Sequence, residues 1–262
     1  MEKKILVQSD ARGVIQCILN RPAARNAIDP DLIAQARDAL RQVREDPSAR
    51  VVVLRGAGKD FCAGADLEWM RRVSGMTPEK VAEDSRPLQA LYQELSSLPV
   101  PLIGIAHGNT MAGGLGLLAA CDCVVATQNA RFAVSEVRLG LIPAILAPVL
   151  VRKIGPSMLR YLATTGAVVD APAMAGAGLI HHIGGTEEET RRIAEDVVGA
   201  VLRSAPEAIR MCKEMLEDLH LERLDAALPA ALKWVADSRR AACAREGISA
   251  FLEKRPPAWR TE

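Results

Sequence analysis

The sequence predicts an α/β fold in which parallel strands alternate with helices, followed by a helical C-terminal part. Short apolar runs typical of buried strands recur in the first half of the chain, at 51–54, 102–106 and 122–126. The first two runs each lead into a small-residue turn and then a helical pattern, which favours parallel strands joined by crossover helices. Beyond about residue 185 the pattern is almost entirely helical, so we expect a core of 1–185 and a helical region of 186–262.

The N-terminal elements follow from turn and capping signals. Two strand patterns, Lys3 to Gln8 and Val14 to Leu19, flank a turn cluster and predict a hairpin. Asp29 is placed to cap a helix whose first residue is Pro30. The apolar residues of this helix fall on one face at helical spacing: Leu32, Ile33, Ala36, Leu40 and Val43.

Later elements are weaker in pattern. Thr77 and Pro78 open a helix to about Leu98, which we expect Pro87 to interrupt because proline cannot donate to the helical ladder. After the run at 122–126, the segment 132–135 leads to Glu136. The remaining predicted elements are a helix from 141–144 to about 155, short helices at 157–164 and 172–177, and a strand fragment at 179–182.

Composition excludes several classes of protein. The chain has 262 residues, 49% hydrophobic and 25% charged, with a net charge of +1, which describes an ordinary globular protein without general attraction to nucleic acid or anionic membranes. Its six cysteines match no zinc or disulfide spacing, so we expect no metal and a reducing, cytoplasmic location. No run has the length of a membrane span, and the N-terminus has no apolar leader.

Two strand-turn-helix corners are candidates for a catalytic site. In the first, Ala63, Gly64 and Ala65 follow the strand at 51–54, and Asp66 can cap the next helix. The second is the glycine-rich stretch 107–116, which is not a phosphate loop because no Gly-Lys-Ser/Thr follows. A helix start leaves backbone N–H groups without helical partners, so each corner can present one donor. Together they would form an oxyanion hole.

Several motifs along the whole chain resemble the enoyl-CoA hydratase/isomerase, or crotonase, superfamily. They are Asn20-Arg-Pro22, Phe61-Cys-Ala-Gly-Ala-Asp66, Met111-Ala-Gly-Gly114, Ser135-Glu136 and Leu139-Gly-Leu-Ile-Pro143. The resemblance implies a spiral of ββα units with a helical C-terminal part that covers the site and mediates assembly. It also implies a homotrimer or a dimer of trimers, and an acyl-CoA thioester as substrate with no further cofactor.

The resemblance assigns roles to individual residues. Ala65 falls on the first oxyanion donor of the superfamily, Gly113 on the second, and Glu136 on one of the two glutamates of its hydratases. The position of the other glutamate is Gly116. A glycine there resembles a narrower branch, the bacterial 3-methylglutaconyl-CoA and carboxy-terpenoyl-CoA hydratases. Our hypothesis is that Gly116 leaves room for a carboxylate of the substrate itself, or for a water beside it, where a second glutamate would repel a glutaconyl group.

Further residues are candidates for binding the substrate. For coenzyme A, the superfamily pattern indicates Arg25 near the Asn-Arg-Pro loop and Lys254 near the C-terminus, which can pair with phosphates. The residues around the first donor would also contact the coenzyme A substrate; they are Ala63, Asp66 and Leu67. Glu68 stands where many relatives have lysine, which argues against a contact with the adenine or phosphate groups of coenzyme A from that side. The candidate residues for the acyl pocket are Gly116, Trp69 and Pro143.

The function predicted from the sequence is hydration of an α,β-unsaturated acyl-CoA, with 3-methylglutaconyl-CoA or a close relative as the favoured substrate. One glutamate also suffices for Δ3,Δ2-enoyl-CoA isomerisation, and a crotonase-type decarboxylase or hydrolase stays open. A different alternative is RNA binding through a basic helix that carries Arg37, Arg41 and Arg44. Acidic residues on that helix and scarce aromatic residues favour a solvated surface instead.

Overall fold

The computed structural model describes residues 3–204, 206–218, 232, 236, 239–240 and 242–256. The predicted helical region 186–262 therefore lies partly outside the described residues. Within these ranges the structure has the mixed α/β architecture that the sequence predicts, so the fold class is confirmed.

The main sheet has six strands in the order β1-β2-β3-β4-β6-β9. β1 pairs antiparallel with β2, and every later pair in this sheet is parallel. The strands are β1 (Ile5–Ser9), β2 (Val14–Leu19), β3 (Val51–Gly56), β4 (Leu102–Ala106), β6 (Cys123–Thr127) and β9 (His182–Gly184). β3 and β4 are buried on both faces, which explains their unbroken apolar runs.

A second, smaller sheet lies beside the first and has the order β5-β7-β8. Its strands are β5 (Asn109–Met111), β7 (Arg131–Ala133) and β8 (Val168–Asp170). β5 runs parallel to β7, and β8 pairs antiparallel with β7. Each strand is only three residues long, so none produces an alternation that the sequence could reveal.

Helices cover both faces of the main sheet. The α-helices are α1 (Pro30–Glu45), α2 (Leu67–Val73), α3 (Pro78–Ser96), α4 (Gly113–Ala119), α5 (Ala147–Thr165), α6 (Ala171–Gly176), α7 (Glu187–Leu202), α8 (Pro206–Asp218) and α9 (Ala242–Leu252). α1, α3 and α4 pack in the principal hydrophobic core. α7 covers the opposite face, where Ala194 and Val198 contact the strand residues Val53, Ile103 and Val125.

Four sequence predictions need correction. α3 runs through Pro87 without interruption, because buried residues on both sides of the proline hold it against the core. α4 begins at Gly113, inside the glycine-rich stretch 107–116 rather than after it. α5 begins at Ala147, later than the predicted start at 141–144, while its break at Gly155, whose φ is 69°, falls where the first of the two predicted helices was expected to end. The strand predicted at 179–182 is β9, which begins at His182.

α9 packs against the part of the core that carries Glu136. Ala244 and Ile248 of α9 form a small apolar cluster with Met70 and Leu141. The two backbones approach closely at Gly247, where an added Cβ would lie 2.2 Å from the carbonyl oxygen of Leu139. This contact places a C-terminal helix of the same chain over the short 3₁₀ helix Glu136–Leu139.

Candidate active site

Three segments of the chain run side by side into the candidate site. Cys62 forms a parallel bridge with Thr110 of β5, and Thr110 is paired in parallel with Phe132 of β7. Ala65 lies three residues after Cys62, and Gly113 lies three residues after Thr110. Glu136 lies four residues after Phe132. Because parallel neighbours lie about 4.8 Å apart, this register brings residues that are far apart in sequence to the same edge.

The two donor corners are packed against each other. Gly64 has a φ of 94°, and an added Cβ there would lie 2.9 Å from the Cβ of Ala112. An added Cβ on Gly113 would lie 3.9 Å from the backbone nitrogen of Ala65. Small residues are therefore required at this contact, as the sequence pattern indicated, and the two backbones approach without intervening side chains.

The backbone N–H groups of Ala65 and Gly113 have no hydrogen-bond acceptor among the residues that the structure describes. The backbone hydrogen bonds on either side of Ala65 do not use its N–H. Ile28 donates to the carbonyl of Gly64 at 2.7 Å, and Asp66 donates to the carbonyl of Ile28 at 2.8 Å. Gly113 is the first residue of α4, where the N–H has no helical partner. Two unpaired donors at one contact can stabilise a developing oxyanion.

The residue before the second donor has a strained backbone. Ala112 has φ 47° and ψ −120°, a region that residues with a Cβ rarely adopt. Its N–H donates to the carbonyl of Ala133 at 2.9 Å, which fixes it to the end of β7. The small sheet thus holds the peptide that carries the Gly113 N–H in an unfavourable conformation.

Glu136 is a buried carboxyl group at the first residue of its 3₁₀ helix. Its Oε2 is fully buried and has no hydrogen-bond partner among the described residues. Loss of hydration disfavours the charged form, so burial raises the pKa of Glu136 to about 7. Such a carboxyl group can both accept and return a proton near neutral pH.

Tyr92 on α3 is a residue of this site that the sequence analysis missed. Its side chain is fully buried, and its hydroxyl donates to the carbonyl of Gly113 at 2.8 Å. Burial, with the nearby Cys62 and Glu136, raises the pKa of Tyr92 well above its usual value, so the phenol stays protonated. Tyr92 therefore lies within electrostatic range of Glu136 while holding the second donor loop.

The hypothesis that Gly116 leaves room for a substrate carboxylate is wrong. An added Cβ at Gly116 would lie 2.4 Å from Cζ and 2.6 Å from the hydroxyl oxygen of Tyr92. The tyrosine ring occupies the space beside this glycine. Gly116 therefore packs against Tyr92 and does not line an open pocket.

The other predicted residues around the first donor have structural partners. Asp66 caps α2 by accepting from the N–H of Glu68 at 3.0 Å, and it forms an ion pair with Arg21 at 3.0 Å. Trp69 is buried, and its Nε1 donates to Asp84 at 2.7 Å. Ala63 donates its N–H to the carbonyl of Arg25 at 2.9 Å.

The remaining candidate residues lie around the site. Leu67 packs beside the apolar cluster of α9, and Pro143 is half-buried before the start of α5. Arg25 and Lys254 are both exposed, which leaves their charges accessible to an anion.

An open pocket of about 760 Å³ lies between the beginnings of α1 and α2. It is lined by Asp29, Pro30, Asp31, Asp66, Glu68, Trp69, Arg71 and Arg72. Its lining includes four acidic side chains and two arginines, and Trp69 and Asp66 are the predicted residues among them.

The basic residues of α1 are engaged by neighbouring groups. Arg37 forms an ion pair with Glu94 at 2.6 Å, and Arg44 donates to the backbone carbonyl of Glu94 and to Ser97 Oγ, both at 2.8 Å. Arg41 pairs with Asp38 at 3.1 Å. Two of the three arginines thus tie α1 to α3, which argues against a free basic stripe for RNA.

Two kinds of feature are absent from the described residues. Within the described ranges, His, Cys, Asp and Glu side chains form no group of three or more that could hold a metal ion. No helix in the same ranges combines the length and hydropathy needed to cross a bilayer.

Comparison with known proteins gives a consistent family. The pattern of the enoyl-CoA hydratase/isomerase family matches residues 9–262. The chain belongs to this family. It is an enoyl-CoA hydratase-type enzyme, as the motifs of the two donor loops predicted.

Individual members of the enoyl-CoA hydratase/isomerase family match over almost their whole length. A 2,3-dehydroadipyl-CoA hydratase of Escherichia coli is 32% identical over 253 residues, covering 96% of this chain and 97% of the relative. A crotonyl-CoA hydratase of Syntrophomonas wolfei is 31% identical, with coverage of 97% and 96%. The crystal structure of an enoyl-CoA hydratase from Mycobacterium avium has a TM-score of 0.87 and 32% identity, covering 99% and 100% of the two chains.

Proposed function

We propose that this enzyme adds water reversibly to an α,β-unsaturated acyl-CoA, with 3-methylglutaconyl-CoA or a related carboxylated, branched enoyl-CoA as substrate. The observation that carries the proposal is the register Cys62, Thr110 and Phe132, which aligns the segments leading to Ala65, Gly113 and Glu136. The thioester itself brings coenzyme A, and the reaction needs no other cofactor.

The proposed first step is attack of water on C3 of the enoyl group. The carboxylate of Glu136 takes a proton from the water as its oxygen bonds to C3. The electrons of the C2–C3 double bond move to the thioester, whose oxygen becomes negative. The N–H groups of Ala65 and Gly113 stabilise this charge, and loss of one such donor typically costs about a hundred- to a thousandfold in rate.

The second step returns the proton. The neutral Glu136 gives its proton to C2, the thioester carbonyl reforms, and the product is the 3-hydroxyacyl-CoA. One group serves as base and then as acid, which a pKa near 7 supports because both forms are accessible at neutral pH. With Gly116 in the place of a second glutamate, Tyr92 is the polar side chain that lies beside it.

The carboxylated substrate is supported by the branch that the glycine at 116 resembles. It is also supported by the E. coli relative, whose name gives a substrate with a second carboxyl group. Isomerisation of a 3-enoyl-CoA remains the alternative, because one glutamate also suffices to move a proton from C2 to C4. The family relatives named above are hydratases, which favours hydration.

For coenzyme A we propose contacts from the backbone around Ala63 and Leu67 and from the charges of Arg25 and Lys254. Both cations are exposed and stand on segments that flank the site. We further propose assembly as a trimer or a dimer of trimers in the cytoplasm, in line with the superfamily resemblance. Apolar side chains left exposed on the surface, such as Tyr161 and Phe251, support a self-association that light scattering would measure.

Steady-state turnover of three thioesters tests the proposal: 3-methylglutaconyl-CoA, crotonyl-CoA and a 3-enoyl-CoA. We expect hydration of the first in preference to the second, and loss of both activities in Glu136→Gln. Glu45→Gln, an exposed change at the end of α1, is the control and should leave turnover unchanged. Turnover of the 3-enoyl substrate alone would establish the isomerase instead.

A further inference from the structure

Asp60 is a buried carboxyl group just before the first donor loop, and the proposed mechanism does not use it. It is only 2% exposed. Its Oδ1 accepts two hydrogen bonds from Asn109, one from the backbone N–H at 2.9 Å and one from the side-chain Nδ2 at 2.6 Å. Asn109 begins β5, which leads to the second donor. The Asp60–Asn109 pair therefore joins the two segments that carry the donors.

A short ladder of backbone hydrogen bonds runs from this pair towards the donors. The N–H of Cys62 donates to the carbonyl of Asn109 at 3.1 Å, and the N–H of Met111 donates to the carbonyl of Cys62 at 2.9 Å. Beyond the ladder the donor corners meet, where an added Cβ on Gly113 would lie 3.9 Å from the backbone nitrogen of Ala65. An unbroken set of contacts thus connects the pair with both donors.

The chain around Asp60 is itself held in place. The backbone carbonyl of Asp60 accepts from Nδ2 of Asn26 at 2.8 Å, and Asn26 is fully buried. The N–H of the next residue, Phe61, donates to the carbonyl of His107 at 3.0 Å. Asp60 therefore has a fixed position, from which its carboxylate can hold the start of β5.

The backbone alone specifies the register of these two segments weakly. β5 has three residues, and its contact with the first donor segment is the isolated bridge between Thr110 and Cys62. The stretches that follow, 63–65 and 112–114, contain only alanine and glycine, and glycine-rich segments specify strand register poorly. Since two donors of Asn109 meet the same oxygen of Asp60, a shift of one residue would break both hydrogen bonds.

We infer that Asp60 is a positioning residue, which fixes the register of the two donor loops through Asn109 and thereby the spacing of the two N–H donors. A buried polar link of this kind adds little net stability, because lost hydration offsets its hydrogen bonds, but it can select one arrangement. The inference rests on the proposed function, because it assigns the thioester oxygen to the N–H groups of Ala65 and Gly113.

Two substitutions of Asp60 separate its hydrogen bonds from its bulk. Asp60→Asn keeps an acceptor oxygen for Asn109, and its amide nitrogen would replace Oδ2, which has no partner among the described residues. Asp60→Leu has a similar size but no acceptor. We expect Asp60→Leu to lower kcat for crotonyl-CoA at least about tenfold, since a displaced donor loses part of its effect on the transition state. KM should change little, and Asp60→Asn should keep most of the activity. Equal kcat losses in the two variants would overturn the inference.

Asp122→Leu is the matched control. The carboxylate of Asp122 also accepts from a backbone N–H of another segment, that of Leu102 at 2.8 Å. Leu102 is the first residue of β4, at the edge of the main sheet opposite the donor loops, about 13 Å away along the strand. Asp122→Leu should lower the stability measured by denaturation and retain kcat. A loss of kcat equal to that of Asp60→Leu would mean that destabilisation alone lowers the rate, and would overturn the inference.

A chromophoric ligand tests the inference without turnover. The absorption of 4-(dimethylamino)cinnamoyl-CoA moves to longer wavelength when hydrogen bonds polarise its thioester carbonyl. We expect this shift for the ligand bound to the native protein, to Asp60→Asn and to Asp122→Leu, and a smaller shift for the ligand bound to Asp60→Leu. Asn109→Ala removes one of the two hydrogen bonds at a partly exposed residue, so it should also reduce the shift, and it decides the test if Asp60→Leu does not fold.

The shift also separates failure of the inference from failure of the proposed function. An undiminished shift in folded Asp60→Leu and Asn109→Ala with bound ligand would overturn the inference and leave the proposed hydration intact. If the native protein shifts the absorption but hydrates no thioester, the proposed hydration is wrong, while a reduced shift in the two variants still supports the positioning role. Absence of any shift in the native protein would overturn the oxyanion site and the inference together.

Discussion

The ring of Tyr92 occupies the space in which any side chain at Gly116 would have to lie. A Cβ on Gly116 would be 2.4 Å from Cζ of the tyrosine, well inside van der Waals contact. Since the hydroxyl of the same ring donates to the carbonyl of Gly113, the ring cannot move aside without releasing the second donor loop. The absence of the second glutamate and the presence of Tyr92 are therefore one structural feature.

Gly116→Ala should destabilise the protein by about 1–3 kcal/mol, because the added methyl group overpacks a fully buried contact with Tyr92. Chemical denaturation measures the change. Gly176→Ala is the matched control, since Gly176 also lies in a helix but a Cβ there meets no atom within 4 Å. That control should be neutral or slightly stabilising. Equal midpoints for the two variants would show that the tyrosine yields freely.

Tyr92→Phe should cost about 1 kcal/mol of stability, because the carbonyl of Gly113 loses a buried hydrogen bond. We also expect kcat to fall about three- to tenfold with little change in KM, since the loop that carries the Gly113 donor becomes less well fixed. Tyr161→Phe is the control, because Tyr161 is half exposed. A change confined to KM would indicate that the hydroxyl contacts bound substrate instead.

Gly64→Ala should separate the two donor corners. Its φ of 94° disfavours a side chain, and the new Cβ would lie 2.9 Å from that of Ala112. We expect a loss of about 1–3 kcal/mol in stability and a fall in kcat of at least about a hundredfold, as for loss of one oxyanion donor. Gly75→Ala, in open space, is the control. Full activity in Gly64→Ala would exclude a shared oxyanion site.

The stability of the protein should depend on pH through Glu136. Its pKa rises from 4.5 to about 7 on folding, so below pH 4.5 both states carry the proton and no cost arises. Between these values only the folded state holds the proton, and stability falls as pH rises. Above pH 7 the free energy of unfolding is lower by about 3 kcal/mol than below pH 4.5, from 1.36 kcal/mol per pKa unit.

Denaturation of native protein and Glu136→Gln at pH 5 and pH 8 measures this effect. The difference in unfolding free energy between the two pH values should be smaller in the variant. Glu45→Gln should retain the native dependence, because Glu45 is exposed. The same slope in Glu136→Gln as in the native protein would contradict a raised pKa at Glu136.

The donor corners were predictable because their signals are local. Ala63, Gly64 and Ala65 are small residues between a buried strand and a capped helix, and Gly113 follows a similar pattern. The structure brings these two corners into contact, as the motifs indicated. The unbroken apolar runs of β3 and β4 likewise predicted strands that are buried on both faces.

The rest of the site depends on contacts between segments distant in sequence. β5 and β7 are three residues each, too short for a periodic pattern, yet their pairing aligns the segments leading to Gly113 and Glu136. Tyr92 falls on the apolar face of α3 beside Leu88, so the pattern indicates only a core residue. Its proximity to Gly116 is a tertiary contact between two helices, and for that reason the predicted space beside Gly116 was wrong.

In the proposed mechanism, Glu136 alone transfers the proton in both directions. The most direct measurement is the pH dependence of kcat/KM for crotonyl-CoA hydration by the native enzyme and by Glu136→Gln. We expect a rate that rises with pH around an apparent pKa of about 7 in the native enzyme, and a loss of at least about a thousandfold in the variant. A variant within tenfold of the native rate, with the same pH profile, would contradict it.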